Sequence, residues 1–506
     1  MIGRQPVPSV PQKPDAIAAC AEACGDDDEA SWARVNRARC SAFDDSMKPA
    51  FLAIVLLVCA SATRADPIDD IVRDALARSH IPGAAVAVIE RGRIVKLAAY
   101  GMANLEWQAK VDVDTAFQLA SATKIFTGIA LMRLVERGRL SLDDPLSKFF
   151  ADAPASWRTI RVAQLATHTS GLDDDLGQPR PQTVEAIVAA AKQRPLVYAP
   201  GSEARYGFTD FVVLRAVLEI AAGKALPAIF DDEIFKPLHL DAPRFAFARN
   251  QGPSIRSADV VPHRASIHAW SDGRQRVSEF LYGEQGYGAG GLYASIRDLA
   301  SVFVALDQGT LLKSASWQAL QTPPTLADGR RGGFGIGWTA RRYRGTSVVG
   351  HSGGPALADI LRIDARQLTI AVLCNQQHYY PLLAEAIADL HLAPLPATPS
   401  IDDAEPAVTA LLRATLRDAA RGRLDVRHFE RAAANPSVGF LSDFGRALLE
   451  AVGPARGIDL LADRRTEGRR VRSYRVSFAH KTMTWQFETN DAGRIETLRP
   501  AGEDEP

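Results

Sequence analysis

The sequence predicts an α+β (mixed α/β) chain, an antiparallel sheet flanked by helices, followed by a small C-terminal α+β domain. Three observations predict it. Strand-forming runs near the start of the main region return near its end, with helical stretches between, so one sheet draws strands from both ends of a domain. A proline-rich shift at Pro394, Pro396 and Pro399 marks a linker. Beyond it, helical stretches precede two runs of alternating aromatic and aliphatic residues.

The elements read as follows. Gly83 to Asn104 (GAAVAVIERGRIVKLAAYGMAN) is two short strands around the turn residues Arg91 and Gly92. An apolar helix is expected from about Ser121 to Arg137, closed by Gly138. A further helix runs Phe211 to Ala222, and another starts at Ser295, where Ser-Ile-Arg-Asp has the form of a capping box. Strands are expected at Thr346 to Val349, Ala358 to Ile363 and Leu368 to Leu373. In the C-terminal region helices are read at Ala407 to Ala420 and Gly439 to Val452. Strands there carry Tyr474, Val476 and Phe478, then Met483, Trp485 and Phe487.

The chain length of 506 residues calls for two or three domains, and 47% hydrophobic with 23% charged residues is a globular composition. With 59 basic and 59 acidic side chains there is no electrostatic footprint for nucleic acid. The His and Cys residues are scattered, without a CxxC pair or an HExxH helix, so neither a metal nor a cofactor is implied.

From Met47 the chain reads MKPAFLAIVLLVCASATRADP: Lys48, an apolar run from Ala50 to Ala60, then small residues to Ala65. This is the layout of a secretory signal over residues 47–65, cleaved after Ala65, with an exported (periplasmic or secreted) product. The apolar run is short for a bilayer span, so no stable membrane span is expected after cleavage. Cys59 invites a lipoprotein reading, but Val58 stands where a small residue is wanted. Residues 1–46 read as a mis-assigned extension with the true start at Met47, or else as a disordered leader. Cleavage would leave Cys374 as the last cysteine, with no intramolecular disulfide. The expected organisation is therefore leader 1–46, signal 47–65, main α+β domain 70–390, linker 391–400 and accessory domain 401–500.

The chemistry centres on Ser121-Ala122-Thr123-Lys124. Of all the lysines, Lys124 alone has a serine three residues before it, which places hydroxyl and amine on one helical face. A serine hydroxyl needs a base, and a desolvated lysine is neutral enough to serve.

At this point the sequence resembles the serine β-lactamase and penicillin-binding-protein superfamily, and within it the class C β-lactamases with their esterase and D-peptidase relatives. The resemblance rests on FQLASATK, on LATHTSGL at Leu165 to Leu172 and on PGSEARYGFTDF at Pro200 to Phe211. It continues through GAGGLYASIRDL at Gly288 to Leu299, GFGIGW at Gly333 to Trp338 and GHSGG at Gly350 to Gly354. It implies a β-lactamase/transpeptidase-like sheet with an all-helical subdomain, the cleft between them. It also implies an acyl-enzyme on Ser121, Lys124 as base or relay, and Tyr206 as a phenolate-leaning proton shuttle near Lys124. His351 takes the place of the lysine in Lys-Thr-Gly, with Ser352 and Gly353 beside the substrate. That strand, expected at the sheet edge, supplies a second oxyanion donor from the Gly354 N–H beside the Ser121 N–H.

One position departs from the pattern. The usual Tyr-x-Asn reads Tyr206-Gly207-Phe208, which removes an amide that would bond the lysine and a substrate amide. Small-molecule esters therefore gain over D-peptides and β-lactams as expected substrates.

Other readings compete. His168 and Ser170 read as a helix end and turn rather than catalytic groups. Gly290 and Gly291 either line the cleft or allow a close approach. Lys481-Thr482 imitates Lys-Thr-Gly but is followed by Met483. Gly350-His351-Ser352-Gly353-Gly354 satisfies the Gly-x-Ser-x-Gly elbow of α/β-hydrolases, which would make Ser352 the nucleophile, yet an elbow must lead into a helix. A non-catalytic binding protein that retains the fold is the remaining alternative, motivated by Phe208.

Overall fold

The computed structural model describes residues 66–501 apart from 179–181, 251–255, 355–356, 378–381, 394–397, 443 and 467. The leader and signal readings at 1–65, and Pro394 and Pro396 of the linker, lie outside the described residues.

The central sheet has seven strands: β1 (Gly83–Glu90), β2 (Arg93–Asn104), β3 (Ala109–Lys110), β4 (Thr339–Tyr343), β5 (Thr346–Gly353), β6 (Ala358–Ile363) and β7 (Leu368–Cys374). Their order is β4-β5-β6-β7-β1-β2-β3, every neighbouring pair antiparallel. Both chain ends of the region thus meet at β1–β7, where Ala84 pairs with Cys374 and Glu90 with Leu368.

β1 reads as a continuous apolar run because both of its faces are covered. Ala85, Ala87 and Ile89 face one core, whereas Ala84, Val86 and Val88 face another. The second core is closed by two helices, α1 (Pro67–Arg78) through Val72 and Ala75, and one formed by Leu383–Ala388.

The first core is larger and holds the helical part of the molecule. Its axis is α2 (Thr123–Glu136), where every residue from Thr123 to Met132 is buried, so the helix is apolar all round, as an interior helix must be. Around it lie α3 (Val162–Ala166), α4 (Val184–Lys192), α5 (Phe208–Ala222) and α6 (Ile296–Asp307). The Ser295 capping box is formed: its hydroxyl accepts from the Asp298 N–H, and the Asp298 carboxylate accepts from the Ser295 N–H. α5 starts at Phe208 rather than Phe211, because the Asp174 carboxylate, distant in sequence, accepts from the Phe208 and Thr209 N–H groups at 2.8 and 2.7 Å.

After α7 (Leu383–Ala388), the C-terminal region packs α8 (Pro406–Ala420), α9 (Pro436–Ser442) and α10 (Phe444–Val452) on one antiparallel sheet. Its strands are β8 (Ala455–Thr466), β9 (Arg469–Phe478), β10 (Thr482–Asn490) and β11 (Ile495–Pro500). The alternating Tyr474, Val476, Phe478 and Trp485, Phe487 face its core, as their period requires. β8 and β11 went unread in the sequence because basic and acidic residues interrupt their apolar alternation. Among the described residues no helix is long and apolar enough to cross a membrane.

Candidate active site

The chain reaches Ser121 through a short strand, Phe117–Gln118, pinned beside Leu292–Ala294 by the Leu119 N–H to Leu292 carbonyl bond of 2.8 Å. Ala120 then adopts φ +46°, a left-handed conformation unfavourable for a residue with a Cβ. Such strain persists only where surrounding contacts over-determine it, and it clusters at functional sites. Ser121 follows in a 3₁₀ turn, Ala120–Ala122, that runs directly into α2. The nucleophile candidate therefore sits just ahead of the α-helix, at its N-terminal end.

One turn on, Lys124 is 2% exposed. Its Nζ donates to the Ala289 carbonyl at 2.8 Å and lies 4.8 Å from the Tyr206 ring centroid and 5.2 Å from that of Phe211. Burial dominates and lowers its pKa to about 7, opposed by the negative charges of Asp174 and Asp210. Glycines make this enclosure possible: a Cβ on Gly337 would collide with the Lys124 carbonyl, and one on Gly128 with that of Ile336. GFGIGW is thus a backbone seat for α2.

Two phenols stand beside the Ser121 hydroxyl and interact with it. One is Tyr206, whose pKa is pushed up to about 12, chiefly by burial and against the lowering effect of the neighbouring Ser121. Almost half of its surface (47%) opens to the cleft. This corrects the phenolate expectation. Desolvation acts on both partners, so the lysine loses its charge more easily and the phenol keeps its proton. The other is Tyr282, likewise raised by burial. Its ring rests on Gly290 and Gly291, where any Cβ would overlap it. The open question over those glycines is settled as a close approach that serves the cleft.

The opposite wall is β5. His351 is buried, and burial lowers its pKa to about 3, with Lys124 a second cause. Its Nδ1 lies 2.8 Å from the Ser352 carbonyl, which only accepts, so Nδ1 carries the proton and Nε2 is the acceptor. Gly353 packs so closely on the nucleophile turn that a Cβ there would collide with the Leu119 carbonyl. Gly354 follows at the rim.

β5 is not an edge strand, contrary to expectation: β4 lies outside it. Pairing with β4 ends at Gly350 opposite Thr339, however, so His351 to Gly353 run past the end of β4. The open edge is three residues long. Ser352 pairs with Asp359 across β5–β6, and its hydroxyl donates to that carboxylate at 3.3 Å. Since β5 leads to strand β6 and not to a helix, the elbow geometry needed for a Ser352 nucleophile is absent.

Behind Tyr206 lies a polar network. The His168 Nδ1 accepts from the Gly207 N–H at 3.2 Å and meets the Asp210 carboxyl at 3.0 Å. Burial raises the Asp210 pKa well above the usual range and lowers that of His168 to about 3. Ser170 donates to the other Asp210 oxygen, so the carboxyl is held by His168 on one side and Ser170 on the other. His168 and Ser170 are thus supports for Tyr206, whose ring lies 4.7 Å from the imidazole. Phe208 packs its ring near Gly286 and the helical core instead of offering an amide to Lys124.

The cleft encloses about 630 Å³, lined by Ser121, Tyr206, Thr339, Arg341, His351, Ser352 and Gly354. Sequence reasoning missed Tyr282, Arg341 and Asp174. Arg341 had one available signal, its two-residue spacing from Thr339 on a short strand. The other two enter only through tertiary contacts. Among the described residues no His, Cys, Asp and Glu group could hold a metal ion.

Comparison with known proteins gives a consistent picture. The family profile described as Beta-lactamase matches residues 68–393. Protein flp of Staphylococcus aureus (strain N315) is 27% identical over 218 residues, 40% of this chain and 44% of that protein, so the match spans under half the length of that relative. Among solved structures, the octameric penicillin-binding protein homologue from Pyrococcus abyssi superposes with a TM-score of 0.55 at 19% identity, covering 87% of this chain and 98% of that one. The D-amino acid amidase from Ochrobactrum anthropi SV3 gives 0.52 at 21% identity, covering 64% and 99%.

Proposed function

The chain belongs to the Beta-lactamase family, and on that premise we propose that it is a hydrolase that works through an acyl-enzyme on Ser121 and prefers esters to β-lactams and peptides. The observation that carries the mechanism is the Tyr206 phenol beside the Ser121 hydroxyl, its ring covering a buried Lys124 with a pKa near neutrality.

Neutral Lys124 takes the Ser121 proton, with the Tyr206 hydroxyl relaying it, as Oγ attacks the carbonyl carbon. The oxyanion of the tetrahedral intermediate is held by the Ser121 and Gly354 N–H groups. Collapse breaks the bond to the alcohol, which leaves with the proton returned through Tyr206. Water then attacks the acyl-enzyme by the same route and releases the acid.

The ester preference rests on two residues. A neutral His351 offers one hydrogen bond in place of the cation that would attract a carboxylate. Phe208 withdraws the amide contact. Losing one charge-assisted hydrogen bond is worth roughly 1.5–3 kcal/mol, or about one to two decades in kcat/KM.

The test compares p-nitrophenyl acetate and butyrate with a chromogenic cephalosporin and a D-amino acid amide at pH 7.5. Faster ester cleavage is expected, abolished together with fluorophosphonate labelling in Ser121→Ala. Phe208→Asn should narrow the gap by raising amide turnover. More efficient β-lactam than ester hydrolysis would overturn the preference. Absence of both labelling and turnover would favour the binding-protein alternative.

A further inference from the structure

Lys481, whose Lys-Thr pair imitates a catalytic motif in the sequence, lies beyond β9 in the C-terminal region, yet it reaches the sheet that builds the cleft. Its Nζ bonds Oε2 of Glu385 on α7 at 2.5 Å and the Tyr343 hydroxyl of β4 at 3.1 Å. The other oxygen of the same carboxylate, Oε1, takes the Arg341 guanidinium at 2.7 Å. Arg341 in turn lines the cleft with Ser121 and Tyr206. One carboxylate is therefore divided between a cation of the cleft and a cation of the C-terminal sheet.

We propose that the C-terminal sheet is a specificity element of this enzyme: by occupying one oxygen of Glu385, Lys481 keeps Arg341 available as a subsite for an anionic group on the substrate. The inference deepens the hydrolase reading above and rests on it.

An unshared Glu385 could present both oxygens to the planar guanidinium, the strongest geometry for that pair, and largely neutralise it. With Lys481 in place, Arg341 holds a single oxygen, and two positive charges share one negative charge. The alternative acceptor nearby, Asp389, is taken by Arg344 at 2.7 Å and by the Tyr343 hydroxyl at 2.8 Å. Asp359, buried behind Ser352, adds a second acidic group to this neighbourhood, which makes the compensating lysine more important.

The burial pattern suits a tuning role. The Glu385 and Lys481 side chains are 13% and 18% exposed, so their pairing is weakly screened, whereas Arg341 is 47% exposed and open to a ligand. The anion would be a small carboxylate attached to the ester, since the cleft places Arg341 and Ser121 on walls of one 630 Å³ space.

The experiment compares p-nitrophenyl hemisuccinate with p-nitrophenyl butyrate on full-length protein, as the ratio of their kcat/KM values. Lys481→Met should lower that ratio by about two- to fivefold, the worth of one exposed ion pair, through the KM of the anionic ester alone. The neutral ester should be unaffected. Glu385→Gln should move the ratio the other way, and Lys481→Arg should restore it. If Lys481→Met lowers the melting temperature but leaves the ratio unchanged, the lysine merely fastens the sheet and the proposal is wrong. Should wild-type protein cleave neither ester, the hydrolase reading fails separately. Calorimetric affinities for ethyl hydrogen succinate against ethyl butyrate, with the same variants, then decide the subsite by the same criteria.

Discussion

Lowering the Lys124 pKa from 10.5 to about 7 determines how much base the site holds at working pH. At pH 7.5 a group of pKa about 7 is roughly three-quarters unprotonated, whereas at 10.5 only about one molecule in a thousand would be. Burial therefore raises the supply of neutral amine by nearly three decades. With neutral Lys124 as the proposed base, kcat/KM for p-nitrophenyl butyrate should rise with pH along a single limb centred near 7 and then level off. Tyr206, at about 12, leaves the alkaline side flat up to pH 10, and His351 and His168, both at about 3, add no limb between pH 5 and 7. Asp174 supplies the sharper test, since its charge favours the protonated lysine. Asp174→Asn removes that charge, so the Lys124 pKa should fall and the limb should move to lower pH, while the amide oxygen still caps α5. Hydrolysis rates from pH 5 to 10, corrected for spontaneous ester cleavage, measure both. A limb near pH 10, or one that moves to higher pH in Asp174→Asn, would refute the assignment of Lys124 as base.

Three further outcomes are expected. Tyr282→Phe keeps the ring on Gly290 and Gly291 but deletes the hydroxyl beside Ser121, so kcat should fall about tenfold with the melting temperature unchanged; an unaltered kcat would remove Tyr282 from the site. Gly353→Ala drives a Cβ into the Leu119 carbonyl and displaces β5 from the nucleophile turn, so kcat/KM should drop by about 10²-fold or more as the oxyanion donors separate. The control is Ser352→Ala, a small loss next to Gly353→Ala. Protein recovered from its native host should begin near Asp66, read by N-terminal mass spectrometry, and peptides from residues 1–46 would refute the signal reading.

Much of the candidate site's arrangement was legible because it is local. Ser121 and Lys124 are three residues apart, and a helix converts that spacing into a shared face whatever surrounds it. The apolar runs of β1, β6 and β7 likewise record burial in their own composition, and Ser295 with Asp298 records a cap. Phe208, in the place of an asparagine, was legible as a lost amide, though its position at the start of α5 was not, because the cap that starts the helix is Asp174.

What only the tertiary structure decided is the state of those residues. Lys124 loses its charge readily because Tyr206 and Phe211 around the start of α5 and the Ala289 carbonyl from a second segment strip it of water. The same enclosure keeps the proton on Tyr206, which reverses the expectation drawn from the charge of an isolated lysine. Tyr282 reaches Ser121 only because two glycines some eight residues later leave room for its ring. Arg341 joins the cleft lining from β4, next to the open edge at His351. Covalent spacing carries local geometry along the chain. Desolvation, hydrogen-bond partners and strand ends depend on what the folded chain brings alongside, and a linear pattern does not contain that.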